Sequence, residues 1–161
     1  MVYLYGFPAI YFSNMTIVEA RDNLMTINPV GMVQDIVISD DYLIIEMQKD
    51  QMMFGMDATG EDIAPSYETD SYAEMKQQMN SRPEVYTPDL RLTGDFYSGF
   101  YLDYDTLTVT SSDDKTSFLI GKYGKSIFGL NEETMKRYRR LFNPKFYEAF
   151  RAQLSGEIPN Y

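Results

Sequence analysis

One stretch of this chain alternates as a β-hairpin does, and helical signals lie on both sides of it. Residues 96–103 and 106–111 alternate apolar and polar positions around a tight turn at Tyr104-Asp105, which sets Phe100 and Leu102 facing Leu107 and Val109. Upstream, Thr16-Ile17-Val18-Glu19 has the form of a capping box: the threonine side chain accepts from a first-turn N–H while the glutamate reaches back. Downstream, Asn131 precedes Glu132 and Glu133, with Lys136, Arg137, Arg139 and Arg140 further on, the charge order that a helix macrodipole favours. The pattern predicts an α+β fold: a small, mainly antiparallel sheet with a central β-hairpin, packed by N- and C-terminal helices.

The core of such a fold must come from apolar side chains alone. The 161 residues are 44% hydrophobic and 15% aromatic, ample for one domain, and include no cysteine and no histidine. That removes disulfides, Cys/His zinc sites, thiol nucleophiles and Ser-His-Asp triads. No apolar run approaches the roughly 20 residues of a membrane span, and no basic region precedes the apolar N-terminal residues, so neither a membrane helix nor a signal peptide is expected. The net charge of −10 argues against generic binding to nucleic acid or anionic membrane. It is unevenly spread: residues 1–114 hold 5 Lys/Arg against 20 Asp/Glu, residues 115–161 hold 9 against 4. One reading is an acidic surface with a basic helical face. Another is a pair of oppositely charged faces, suited to head-to-tail stacking of identical copies into a ring.

Punctuation within the chain marks turns but no linker, repeat or low-complexity tract, so a single domain over 1–161 is the simplest organisation. The first helix should bury Ile17, Val18, Leu24 and Ile27 and end near Asn28, ahead of Pro29. Ile36 and Ile38 alternate as in a short strand, Asp40-Asp41 suits a turn or cap, and Leu43, Ile44, Met47 and Gln51 follow at helical spacing. Residues 55–65 read as an exposed loop, and 67–88 as partly extended with a short helix around 73–79. After the hairpin, Ser112 or Asp113 can cap a helix that stops at Gly124. Asn143-Pro144 should restart a final helix with a stripe of Phe146, Tyr147, Phe150 and Leu154.

Three motifs imitate chemistry. Gly121-Lys122-Tyr123-Gly124-Lys125-Ser126 resembles the end of a phosphate-binding loop, yet its first glycine would fall at Leu119, so a helix C-cap is the better reading. Asp57, Thr59, Glu61 and Asp62 resemble a calcium loop with its glycine misplaced at Gly60, which favours a solvated turn. Met47, Met52, Met53 and Met56 suit gap-filling core more than an adaptable binding surface. No cofactor and no metal site is expected.

The segment Asp89-Leu90-Arg91-Leu92-Thr93-Gly94-Asp95-Phe96-Tyr97-Ser98-Gly99-Phe100 resembles one found in small virion proteins of tailed phages, especially Bacteroidetes-infecting and crAss-like phages. Flanking runs share the likeness: Gly55-Met56-Asp57-Ala58-Thr59-Gly60 with Pro65-Ser66-Tyr67 upstream, and Lys122-Tyr123-Gly124 with Ile127-Phe128-Gly129-Leu130-Asn131 downstream. The likeness spans roughly residues 36–140.

That resemblance implies a structural virion protein of the morphogenesis, neck or tail-completion type, not an enzyme. It would sit in the neck or tail region of the virion, and in host cytoplasm before assembly. Implied partners are other copies in a ring and portal, connector or tail proteins, with no membrane and no specific nucleic acid. On this reading Lys136, Arg137, Arg139 and Arg140 make charged contacts. A long loop or arm over 55–88, with Asp57, Glu61 and Asp62, grips a neighbour. Met52, Met53 and Phe54 form a hydrophobic seam; Thr93, Gly94, Asp95, Phe96 and Phe100 shape the hairpin core, and Gly124 and Gly129 mark turns. Two other classes stay open: an acidic binding protein or inhibitor that mimics nucleic acid, and a hydrolase built on two carboxylates.

Overall fold

Thr16 opens the first helix as its sequence predicts: its Oγ accepts the Glu19 N–H at 3.2 Å, and the Glu19 carboxylate accepts the Thr16 N–H at 2.7 Å. In the computed structural model, which describes residues 15–80 and 86–156, this is α1 (Ile17–Thr26). Six further helices are described: α2 (Pro29–Ser39), α3 (Asp41–Met53), α4 (Asp70–Asn80), the single turn α5 (Asp95–Ser98), α6 (Thr116–Tyr123) and α7 (Glu132–Ser155). A two-stranded antiparallel sheet, β1 (Phe100–Asp103) and β2 (Thr108–Ser111), lies between α5 and α6. The fold is therefore α+β with a central hairpin. The signal-peptide reading and residues 81–85 of the arm lie outside the described residues.

The described chain divides into two compact units. One comprises residues up to Ile36 together with those from Leu141 onward; the other is Val37–Arg140. Both boundaries fall inside helices, in α2 and in α7.

In the first unit, Met32, Ile36 and Ala149 are buried, and Ile27, Phe142, Phe146 and Phe150 pack around them. Met32 and Ile36 are four apart on α2, so the alternation of Ile36 and Ile38 is not a strand: helical spacing joins Ile36 to the core. Pro144 does not restart a helix either. It lies inside the continuous 24-residue α7, whose Phe142-Phe146-Phe150 row stacks at ring separations of 5.9 and 6.4 Å. That apolar row continues through the proline and holds the helix in place across its missing N–H. The expected burial of Ile17, Val18 and Leu24 is not found: all three are exposed, and only Ile27 of that set is drawn toward the core.

In the second unit, α3 packs on the hairpin. It buries Ile44, Met47, Gln48, Gln51 and Met52, a continuous face at helical spacing. The hairpin register pairs Leu102 with Val109 as expected, and Phe100 with Ser111; Leu107 belongs to the turn. The alternation begins later than predicted because Gly94, at φ 99°, starts a helical turn over residues 95–98. Phe96 therefore reaches the core from α5, edge-on to Phe100 at 5.0 Å and beside Phe128 at 5.8 Å. Gly124, at φ 88°, ends α6, so the phosphate-loop imitation is a helix C-cap.

Candidate functional site

The N-terminal turns of α7 display the basic residues singled out from sequence. Asn131 caps the helix, its Oδ1 accepting the Thr134 N–H at 2.9 Å. Thr134 and Tyr138, four apart, turn inward and are buried. Lys136, Arg137, Arg139 and Arg140 consequently face solvent together. Arg139 and Lys136 share the Glu132 carboxylate, at 3.3 and 3.8 Å. Among the described residues, Arg137 and Arg140 have no carboxylate within ion-pair distance. Burial, reinforced by the charge of Asp40 and a 3.4 Å hydrogen bond to it, pushes the Tyr138 hydroxyl well above its ordinary range and keeps it neutral beneath this face.

The acidic candidates separate. Asp57 is buried and turns its carboxylate inward, accepting from the Thr59 N–H at 2.8 Å, the Thr59 hydroxyl at 2.6 Å and the Glu61 N–H at 3.3 Å. Burial raises its pKa, but these bonds and one from Ser126 outweigh it and hold the carboxyl below its usual range. It shapes a turn and offers no contact surface. Glu61 and Asp62 remain exposed. Within 55–88 the chain also forms α4, and Ile63 and Ala73 are buried. The proposed seam divides similarly: Met52 is core, Met53 is half-buried, and only Phe54 is exposed.

A second site was not legible in the sequence. Lys76 of α4 is 1% exposed, and its ammonium lies 2.9 Å from the carboxylate of Asp89, which is fully buried. Asp89 also accepts from the Tyr67 hydroxyl at 3.0 Å, the Arg91 N–H at 3.1 Å and the Asn80 amide. Lys76 and Asn80 both donate to the Arg91 carbonyl, and the Tyr97 hydroxyl donates to the Asp89 carbonyl at 2.6 Å. Burial raises the Asp89 pKa, but Lys76, the Arg91 N–H and Asn80 more than offset it and keep the carboxylate ionised. These bonds hold Leu90 at φ 53°, a left-handed conformation costing about 1–3 kcal/mol when a side chain must adopt it. The signal available beforehand was spacing: Ala73 and Lys76, three apart, are the buried residues of α4.

Leu90 and Lys76 form part of a groove of about 280 Å³, together with Tyr67, Tyr72, Phe118 and Tyr123. Arg91 and Lys115 contribute its exposed cations. Thr93, Gly94 and Phe96, expected only to shape the hairpin, line it as well, while the exposed Asp95 accepts from the Thr93 hydroxyl at 2.6 Å.

Among the described residues, no group of three or more acidic side chains is arranged to hold a metal ion, and no helix is long and apolar enough to cross a membrane. No protein-family model, curated protein or solved structure matches this chain.

Proposed function

We propose that this chain is a structural subunit of a tailed-phage virion, a neck or tail-completion protein that acts by binding further copies of itself and portal, connector or tail proteins. The observation that carries this reading is how the residues resembling those virion proteins are used. Asp89, Phe96, Phe100 and Gly129 are spent on holding the second unit together, through a buried ion pair, an aromatic cluster and a backbone clamp. The chemistry left on the surface is that of contacts: four cations on one turn-and-a-half of α7, and a groove of aromatic and basic side chains. Exposed arginine and aromatic groups are enriched where proteins bind proteins. The acidic remainder of the chain favours a protein partner over DNA for the cations.

Quantitative mass spectrometry of purified particles, made by a phage that encodes this chain, tests the reading. The expected result is a fixed, small copy number per particle, in constant ratio to the portal protein. Absence from particles, with abundant chain in the infected cell, contradicts it and favours an acidic binding protein.

A further inference from the structure

We infer that the groove over Lys76 and Asp89 receives an acidic, aromatic knob from a second copy of this chain, formed around Tyr42 and Tyr104. The inference rests on the assembly reading above and names one of its contacts. A volume of about 280 Å³ has room for one aromatic side chain as an anchor. The groove includes Lys76, Arg91 and Lys115 but no carboxylate. Asp89 neutralises Lys76, so Arg91 and Lys115 are the cations left to meet an incoming acid.

The matching chemistry lies elsewhere on the same unit. Tyr42 is 73% exposed and Tyr104 51% exposed. The Tyr104 hydroxyl donates to Asp41 at 2.7 Å, which fixes the hairpin turn against the start of α3. Asp41 neighbours Tyr42, Asp105 neighbours Tyr104, and neither 40–47 nor 101–106 contains a lysine or arginine. Tyr104, held by its hydrogen bond to Asp41, loses little side-chain entropy on docking, and the more exposed Tyr42 beside Asp41 presents the ring that serves as anchor. Because knob and groove are different patches, the contact is heterologous: each copy keeps a free knob and a free groove, and copies add until a ring closes.

Complementation of two variants tests this. Tyr42→Ser removes the anchor and keeps the groove; Lys115→Glu cancels the groove's net positive charge, leaving Arg91 opposed by an acid, and keeps the knob. Each, at unchanged melting temperature, is expected to self-associate at least about tenfold more weakly than the natural chain. An equimolar mixture is expected to form a one-to-one heterodimer, read by native mass spectrometry with one variant isotope-labelled. If either variant unfolds, Asp105→Lys and Phe118→Ser take their places. Self-association of both variants at natural strength overturns the knob and groove while leaving the assembly reading intact. Two monomeric variants whose mixture stays monomeric overturn it as well. A natural chain that is monomeric at every concentration overturns both.

Discussion

Gln48 Oε1 accepts the backbone N–H of Gly129 at 2.6 Å, while Gln48 Nε2 donates to the Ile127 carbonyl at 3.0 Å. One turn on, Gln51 repeats the arrangement, donating to the Gly129 carbonyl at 3.0 Å and accepting the Asn131 N–H at 2.8 Å. Two carboxamides on α3 thus pair with the 127–131 backbone much as a neighbouring strand would, and satisfy groups that would otherwise be buried without partners.

Gln48→Ala leaves the Ile127 carbonyl and the Gly129 N–H unpaired at a site with no exposure. A loss of about 2–4 kcal/mol is expected in denaturant unfolding, because each orphaned group costs about 1–3 kcal/mol. Gln48→Glu keeps the shape but loses the donor and adds charge, so it is expected to be at least as damaging. A loss under about 0.5 kcal/mol for both would contradict the clamp.

Lys76→Met is expected to cost about 3–5 kcal/mol, since it strands the Asp89 carboxylate in the interior without its counter-charge. The pH dependence has a definite sign. Asp89 is held below the ordinary carboxyl value of 3.8, so its contribution is present above that value and is lost as pH falls through its own lower one. The natural chain's advantage over Asp89→Asn is therefore expected to be full at neutral pH and to shrink below about pH 4. A constant difference between the two from pH 7 to pH 2, measured by urea unfolding, would show that the charge does not matter.

The two conspicuous turn glycines are expected to differ on replacement by alanine. At Gly94, φ is 99° but an added Cβ meets nothing within 4 Å, so only backbone strain of about 1 kcal/mol is incurred. At Gly129, φ is 112° and the added Cβ lies 3.1 Å from the Ala58 Cβ, in the loop that Gln48 and Gln51 hold; a loss of about 2–3 kcal/mol is expected. Thermal unfolding of the two variants should preserve that order.

Local chemistry was the legible part of this fold. The Thr16–Glu19 box, the Asn131 cap, the Gly124 stop and the Leu102–Val109 pair all depend on residues within a few positions or across one tight turn. What stayed hidden depends on distant partners. Gln48, Gln51 and Lys76 occupy buried helix positions that a hydrophobic pattern assigns to apolar residues, and only the 127–131 backbone and Asp89 explain them. Pro144 read as a boundary, yet the aromatic row on either side of it keeps the helix continuous. Of the site, the basic face of α7 was visible from charge spacing. The groove was not, because its walls come from three separate stretches, 67–76, 90–96 and 115–123.

Arg137 and Arg140 are solvent-facing, so reversing both charges should leave the fold intact and act on association alone. The Arg137→Glu/Arg140→Glu variant is expected to melt within about 4 °C of the natural chain, since two exposed substitutions change stability by under about 1 kcal/mol together and 1 kcal/mol shifts Tm by about 2–4 °C in a chain of this length.

Light scattering coupled to size exclusion, on the natural chain and this variant, bears most directly on assembly through charged surfaces. Ionic strengths of about 0.01 M and about 1 M change the screening length from about 30 to about 3 Å. The natural chain is expected to run as a multiple of 18.7 kDa at low salt and to shift toward 18.7 kDa at high salt, with the variant nearer the single-chain mass throughout. A natural chain of 18.7 kDa at both salts, across the accessible concentration range, would contradict it.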